Sequence, residues 1–149
     1  MDIIESLRIE MRKRIFAANI ITSEHYQEEF KSVPDEVGTS YYIRETVIDM
    51  GRTEPSQTSE LQTVLCEYDV IVNRKWLNPT VTASNIVEKL RAEFNVKDPE
   101  KINIVLPDMA NVQAWVREPV TTAAAEQESD WYRRPVFVYV ECLIRSLGA

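Results

Sequence analysis

Arg134-Pro135-Val136-Phe137-Val138-Tyr139-Val140-Glu141-Cys142-Leu143 is the stretch on which the fold turns. Val, Phe and Tyr dominate it, and their branched or planar side chains suit a pleated surface. Its apolar run is nearly continuous rather than alternating, which marks a strand that is central or covered on both faces. Pro135 lacks an amide hydrogen, so it belongs near the beginning of the strand or where no partner needs that amide. The strand reads as residues 131–143, with residues 113–121 as a long antiparallel neighbour. The stretch between them, 122–130 (TAAAEQESD), is a small-residue and acidic connection.

Two further strands stand upstream. Residues 40–50 (SYYIRETVIDM) alternate, and residues 61–73 place Val64, Cys66, Tyr68, Val70 and Val72 on one face. Gln62, Glu67 and Asp69 fall among the other set. Between these strands, residues 51–59 (GRTEPSQTS) are polar and turn-forming and predict a long loop. A short apolar strand is expected at 101–106.

Helical periodicity appears twice. Ile4, Leu7, Met11, Ile15 and Ala18 share one face of a helix over 2–18, with Asp2 placed to cap it and basic residues toward its end. Ile86, Val87, Leu90 and Phe94 share a face of a second helix, capped by Thr80 or Thr82 and preceded by a turn at 76–79. A short helix is also possible at 23–30, bounded by Pro34 and Gly38. The order α-β-β-α-β-β-β predicts an α+β fold, a mostly antiparallel sheet of four to five strands packed with two helices. At 149 residues the chain fits a single domain over 1–149, with extended loops near 51–60 and 121–130.

The formal charge of -7 argues against a general nucleic-acid binder, which carries a basic stripe. No apolar run approaches the roughly 20 residues that cross a bilayer. The first residues lack the basic start and small-residue cleavage site of a signal peptide, so a soluble intracellular origin is expected. Cys66 and Cys142 sit in apolar β-type runs and read as buried reduced thiols, since no CxxC or Cys/His cluster accompanies them.

Catalytic chemistry finds little support. His25 is the single histidine, and it reads as a surface residue on a solvated helix rather than a base. Asp49, Glu67 and Asp69 would make a carboxylate cluster if they met across strands, but alternation marks them as the solvent face of a sheet. Three glycines in the chain make a phosphate loop hard to build. No catalytic residue, metal or cofactor is assigned.

Contact-making fits better. The polar loops supply Arg52, Glu54, Glu126, Glu128 and Asp130, and segments of that length are commonly functional. Trp76, Trp115, Trp131, Tyr132, Arg133 and Arg134 flank loops and are of the types that dominate interface hot spots. Long antiparallel strands also offer edges to a neighbouring copy.

The layout resembles the bacteriophage tail terminator family, whose members cap the tail tube of long-tailed phages. The likeness rests on the helix from Ile4 to Ala18, the aromatic-led strand Tyr41-Tyr42-Ile43-Arg44 and the polar loop after it. It continues in Tyr68-Asp69-Val70-Ile71-Val72, the capped helix ending in Phe94, and the closing Trp131-Tyr132-Arg133-Arg134-Pro135-Val136-Phe137-Val138. The strand-to-helix link, Asn73-Arg74-Lys75-Trp76-Leu77-Asn78-Pro79, departs from the Pro/Gly-rich turn of many relatives. The resemblance implies a hexameric ring in the tail-neck region of the virion, assembled in the host cytoplasm. That ring would end tube polymerisation, contact the tail tube protein and the head-tail connector, and let DNA pass without specific binding. A neck or tail-completion adaptor has the same implied partners. A small ligand-binding α+β module, with an apolar pocket closed by Trp115 and Trp131, is the reading of a different class.

Overall fold

The computed structural model describes residues 2–28, 40–95, 97–117, 120–123, 125–127 and 130–146. Helix α1 (Ile3–Ala17) starts where Asp2 accepts a hydrogen bond from the Glu5 amide at 2.7 Å, satisfying one of the donors a helix start leaves open. Leu7, Met11 and Ile15 lie fully buried on its inner stripe. Beyond it, the helix expected at 23–30 is a single 3-10 turn (Ser23–His25) followed by strand β1 (Tyr26–Glu28). Tyr26 packs edge-on against Phe16 and pairs with Ile43, so tertiary pairing overrides a weak local pattern. Residues 29 and 30 of that reading lie outside the described residues.

Strands β2 (Tyr41–Ser56) and β3 (Ser59–Asn73) form one long hairpin. The long loop expected near 51–60 is therefore strand, with only Gln57 and Thr58 at the turn. Cross-strand bonds from Arg52 to Glu60 (2.8 Å) and between the Ser56 and Ser59 hydroxyls (2.7 Å) tie the arm together. Its polar composition reports exposure, not irregular backbone. The register shifts twice, between Asp49 and Arg52, where Gly51 has φ +106°, and between Thr53 and Ser56. A positive φ beside an added residue is the backbone of a β-bulge.

Helix α2 (Pro79–Glu93) begins earlier than Thr80 or Thr82 as cap would allow. Asn78 takes the left-handed conformation (φ 50°) as its N-cap and Pro79 occupies the first turn, where its missing amide costs nothing. Ala83, Ile86, Val87, Leu90 and Phe94 are buried. The strand expected at 101–106 is divided: helix α3 (Pro99–Ile102), capped by Asp98, leads into β4 (Asn103–Ile104). Then follow β5 (Val112–Val116), β6 (Thr121–Thr122), β7 (Glu126–Gln127) and β8 (Trp131–Arg145).

The fold is α+β, and among the described residues it comprises eight strands and three α-helices in a strongly curled, mixed sheet. This corrects the expected four to five strands and two helices. The additions are pieces of two to four residues, too short for any periodicity to reveal. The order is β1-β2-β3-β8-β5-β4, with β6 and β7 also on β8; the β1–β2 pairing is parallel and the others are antiparallel. The stretch near 121–130, expected as an open loop, thus supplies two short strands.

β8 is central. It pairs with β3 along its whole length on one side, and with β5, β6 and β7 in series on the other. Pro135 sits opposite Asp69, and its carbonyl accepts from the Ala123 amide at 3.4 Å. Amide and carbonyl of one strand residue face the same neighbour, so the missing amide faces the gap between β6 and β7.

One sheet face carries the core. Ile43, Val64, Tyr68, Val70, Val136 and Val138 point to it, fully buried in one continuous apolar cluster with α1 and α2. Cys66 and Cys142 are free and buried there; burial pushes the Cys66 thiol up to about 12 and the Cys142 thiol up to about 11.

Candidate interface

Alternate residues of β2, β3, β5 and β8 point to the opposite face, where no described helix packs. Two charged clusters sit on it. Arg133 holds both carboxylate oxygens of Asp69 at 3.1 Å, donates to Glu126 at 2.6 Å and lies 3.8 Å from Glu67. Near the other end of β8, the nearly buried Glu141 accepts from Thr63 at 3.0 Å and from Arg117 at 2.8 Å, while Arg117 lies over the Tyr139 ring. The second cluster balances one guanidinium with one carboxylate, whereas the first sets Arg133 against three carboxylates, and Leu65, Phe137 and Tyr139 remain partly accessible around them.

The structure distributes the expected contact residues rather than gathering them. Arg52 and Glu54 ride the exposed hairpin arm. Glu126 and Arg133 meet in the first cluster, and Trp131 lies opposite Asn73 at that end. The Asp130 carbonyl accepts from the Arg74 amide at 3.0 Å, which ties β7's end of the sheet to the turn bearing Trp76. Trp115 lies opposite Glu141. Trp131 and Glu141, the partner of Trp115, stand ten residues apart on β8, about 33 Å at the usual strand rise, so these tryptophans do not close one pocket. Arg134 faces the other way, toward α2, and donates to the Ser84 hydroxyl at 3.3 Å. Tyr132 is buried in the core rather than presented at a loop. Glu128 lies outside the described residues.

Two chemical candidates change character. His25 is not on a solvated helix: its ring stacks on Tyr41 at 4.4 Å, and its Nδ1 lies 2.7 Å from the Tyr41 carbonyl oxygen. Trp76 meets the same Tyr41 ring edge-on. Asp49, Glu67 and Asp69 do not converge, because Asp49 accepts from the Gly51 amide while Arg133 holds Asp69. Among the described residues, no group of three or more His, Cys, Asp or Glu is placed to hold a metal.

The sequence reading missed a buried ionic site beneath α1. Glu45 faces the core between Ile43 and Val47, almost without exposure. Arg12 donates to it at 2.9 Å and to Glu28 at 2.8 Å, and Arg8 approaches within 3.9 Å. Burial raises the Glu45 carboxyl above its ordinary value, against the opposing pull of Arg12 and Arg8. The signal was present: Glu45 is in phase with two apolar residues, and two arginines stand one helical turn apart on α1.

Among the described residues, the exposed large apolar side chains other than Val105 fall at two corners. Trp76, Leu77 and Val81 mark the turn before α2 and its first residues, while Ile48 and Met50 mark β2 where the hairpin leaves the core.

No family model matches the chain, and no curated protein matches it. A solved structure, whose name is a bare identifier without functional description, aligns over 97% of each chain with a TM-score of 0.67 at 13% identity. At that identity the likeness concerns the fold alone.

Proposed function

We propose that the chain is a structural virion protein that forms a ring on a bacteriophage tail tube, ends the tube's polymerisation and joins the tail to the head connector. The observation that carries this reading is the display of contact surface. A sheet face bearing no described helix, a hairpin arm running past the core and two exposed apolar patches offer area to neighbours rather than a cleft of converging reactive groups. A ring closes when one patch meets a different patch on the next copy and the rotation completes. A ring closed by head-to-tail contacts has two distinct sides, one for the tail tube protein and one for the connector. The net charge of -7 lets DNA traverse the lumen without being gripped.

Tube length tests this. Tail tube protein from the same phage, polymerised with increasing amounts of this chain, should give shorter tubes bearing a ring at one end in electron micrographs. Tubes of unchanged length with bare ends would refute the reading.

A further inference from the structure

We infer that the two apolar corners are the halves of one contact, the Trp76, Leu77 and Val81 corner of one copy packing on the Ile48 and Met50 patch of the next. This deepens the ring reading and rests on it. Exposure is 39% at Trp76, 79% at Leu77 and 56% at Val81; it is 41% at Ile48 and 53% at Met50. Side chains this apolar sit poorly in water, and contiguous ones mark interaction sites. Val105, the remaining exposed large apolar residue among the described residues, lies just beyond β4.

Charge says which patch each one meets. Exposed Lys75 precedes the first corner, whereas exposed Asp49 and Glu54 flank the second. Arg52, beside them, is answered by Glu60 within its own hairpin. Packing either corner on itself would bring like charges together, while packing one on the other brings opposite charges together. Position fixes the kind of assembly. Val72 opposite Tyr41 and Val64 opposite Asp49 stand eight ladder steps apart, about 27 Å at the usual rise. Complementary patches this far apart on one hairpin, the first beyond its Asn73 end and the second midway along β2, produce a head-to-tail contact, which repeats until a ring closes.

Cysteine cross-linking tests it, because the native thiols are buried and the two corners are too far apart for a disulfide within one chain. Oxidising a mixture of the L77C and M50C proteins should give a cross-linked pair, and neither protein alone should. A chain carrying both changes should give a ladder of linked species that stops at ring size. Lys75→Glu should reduce assembly, and Glu54→Lys in the same chain should restore it. Links within the L77C or M50C protein alone would mean a two-fold contact and overturn the inference. A ring-sized mass without L77C–M50C links would overturn it while leaving the ring reading standing. A monomer at every concentration would overturn both.

Discussion

Replacing Arg12 by alanine should destabilise the protein by about 2–4 kcal/mol at pH 8 and by clearly less at pH 5. Arg12 donates to the buried Glu45 at 2.9 Å and to the half-exposed Glu28 at 2.8 Å. Breaking a buried pair from one side costs roughly 3–5 kcal/mol, because the remaining charge is left uncompensated. Arg8, 3.9 Å from Glu45, remains and reduces that figure. The more exposed Arg12–Glu28 pair adds about 0–1 kcal/mol.

The pH dependence has a definite sign. Burial raises the folded Glu45 carboxyl above its ordinary 4.5. Below 4.5 the group is protonated in both folded and unfolded chains and carries no differential cost. As pH rises through the folded value the carboxylate must ionise in a dry site, so stability falls. Removing Arg12 takes away the interactions that hold the carboxyl down, moves it further up and steepens that fall. Urea titrations followed by tryptophan fluorescence at pH 5 and pH 8 measure the difference. Glu45→Gln in the Arg12→Ala background should recover stability at pH 8 and flatten the profile. An Arg12→Ala deficit equal at both pH values, or no recovery with glutamine, would refute the reasoning.

Val138→Asp places an unpaired carboxylate at a fully buried position opposite Cys66, and circular dichroism should show an unfolded chain; a cooperative melt at the parental temperature would contradict a central β8. Asn78→Ala places at φ 50° a residue that visits the left-handed conformation less readily than asparagine and should cost about 1 kcal/mol in urea titrations, whereas Asn78→Gly should cost less. Cys66 and Cys142 should react slowly with a thiol reagent in the native protein at pH 8, since burial holds both thiols up at about 12 and about 11, and rapidly after unfolding. Fast native labelling would contradict their placement in the core.

Legibility in the sequence followed the length of each signal. α1 and the inner face of β3 were readable because five or more apolar residues kept phase along each. β8 was readable as central because its apolar run is nearly continuous, while Pro135 could sit only near its beginning or at an unpaired position. The hairpin arm was misread because polar residues on a strand clear of the core look like a loop, and nothing local distinguishes them. β1 and β7 were invisible, and β4 and β6 were legible only as parts of longer strands expected at 101–106 and 113–121: two or three residues carry no period, and their strand character comes from the neighbour they pair with. Among the interface candidates, Arg133 and Glu126 met as neighbours, whereas Arg134 turned toward Ser84 because adjacent strand residues face opposite ways. Residue type suggested all three, and only register could sort them.

The account's central claim is that copies of this chain assemble into a closed ring, and its most direct test is the mass in solution by light scattering across concentration and salt. A discrete species near about six copies that does not grow further as concentration rises is the predicted result. A concentration-independent monomer, unchanged when tail tube protein is added, would contradict it.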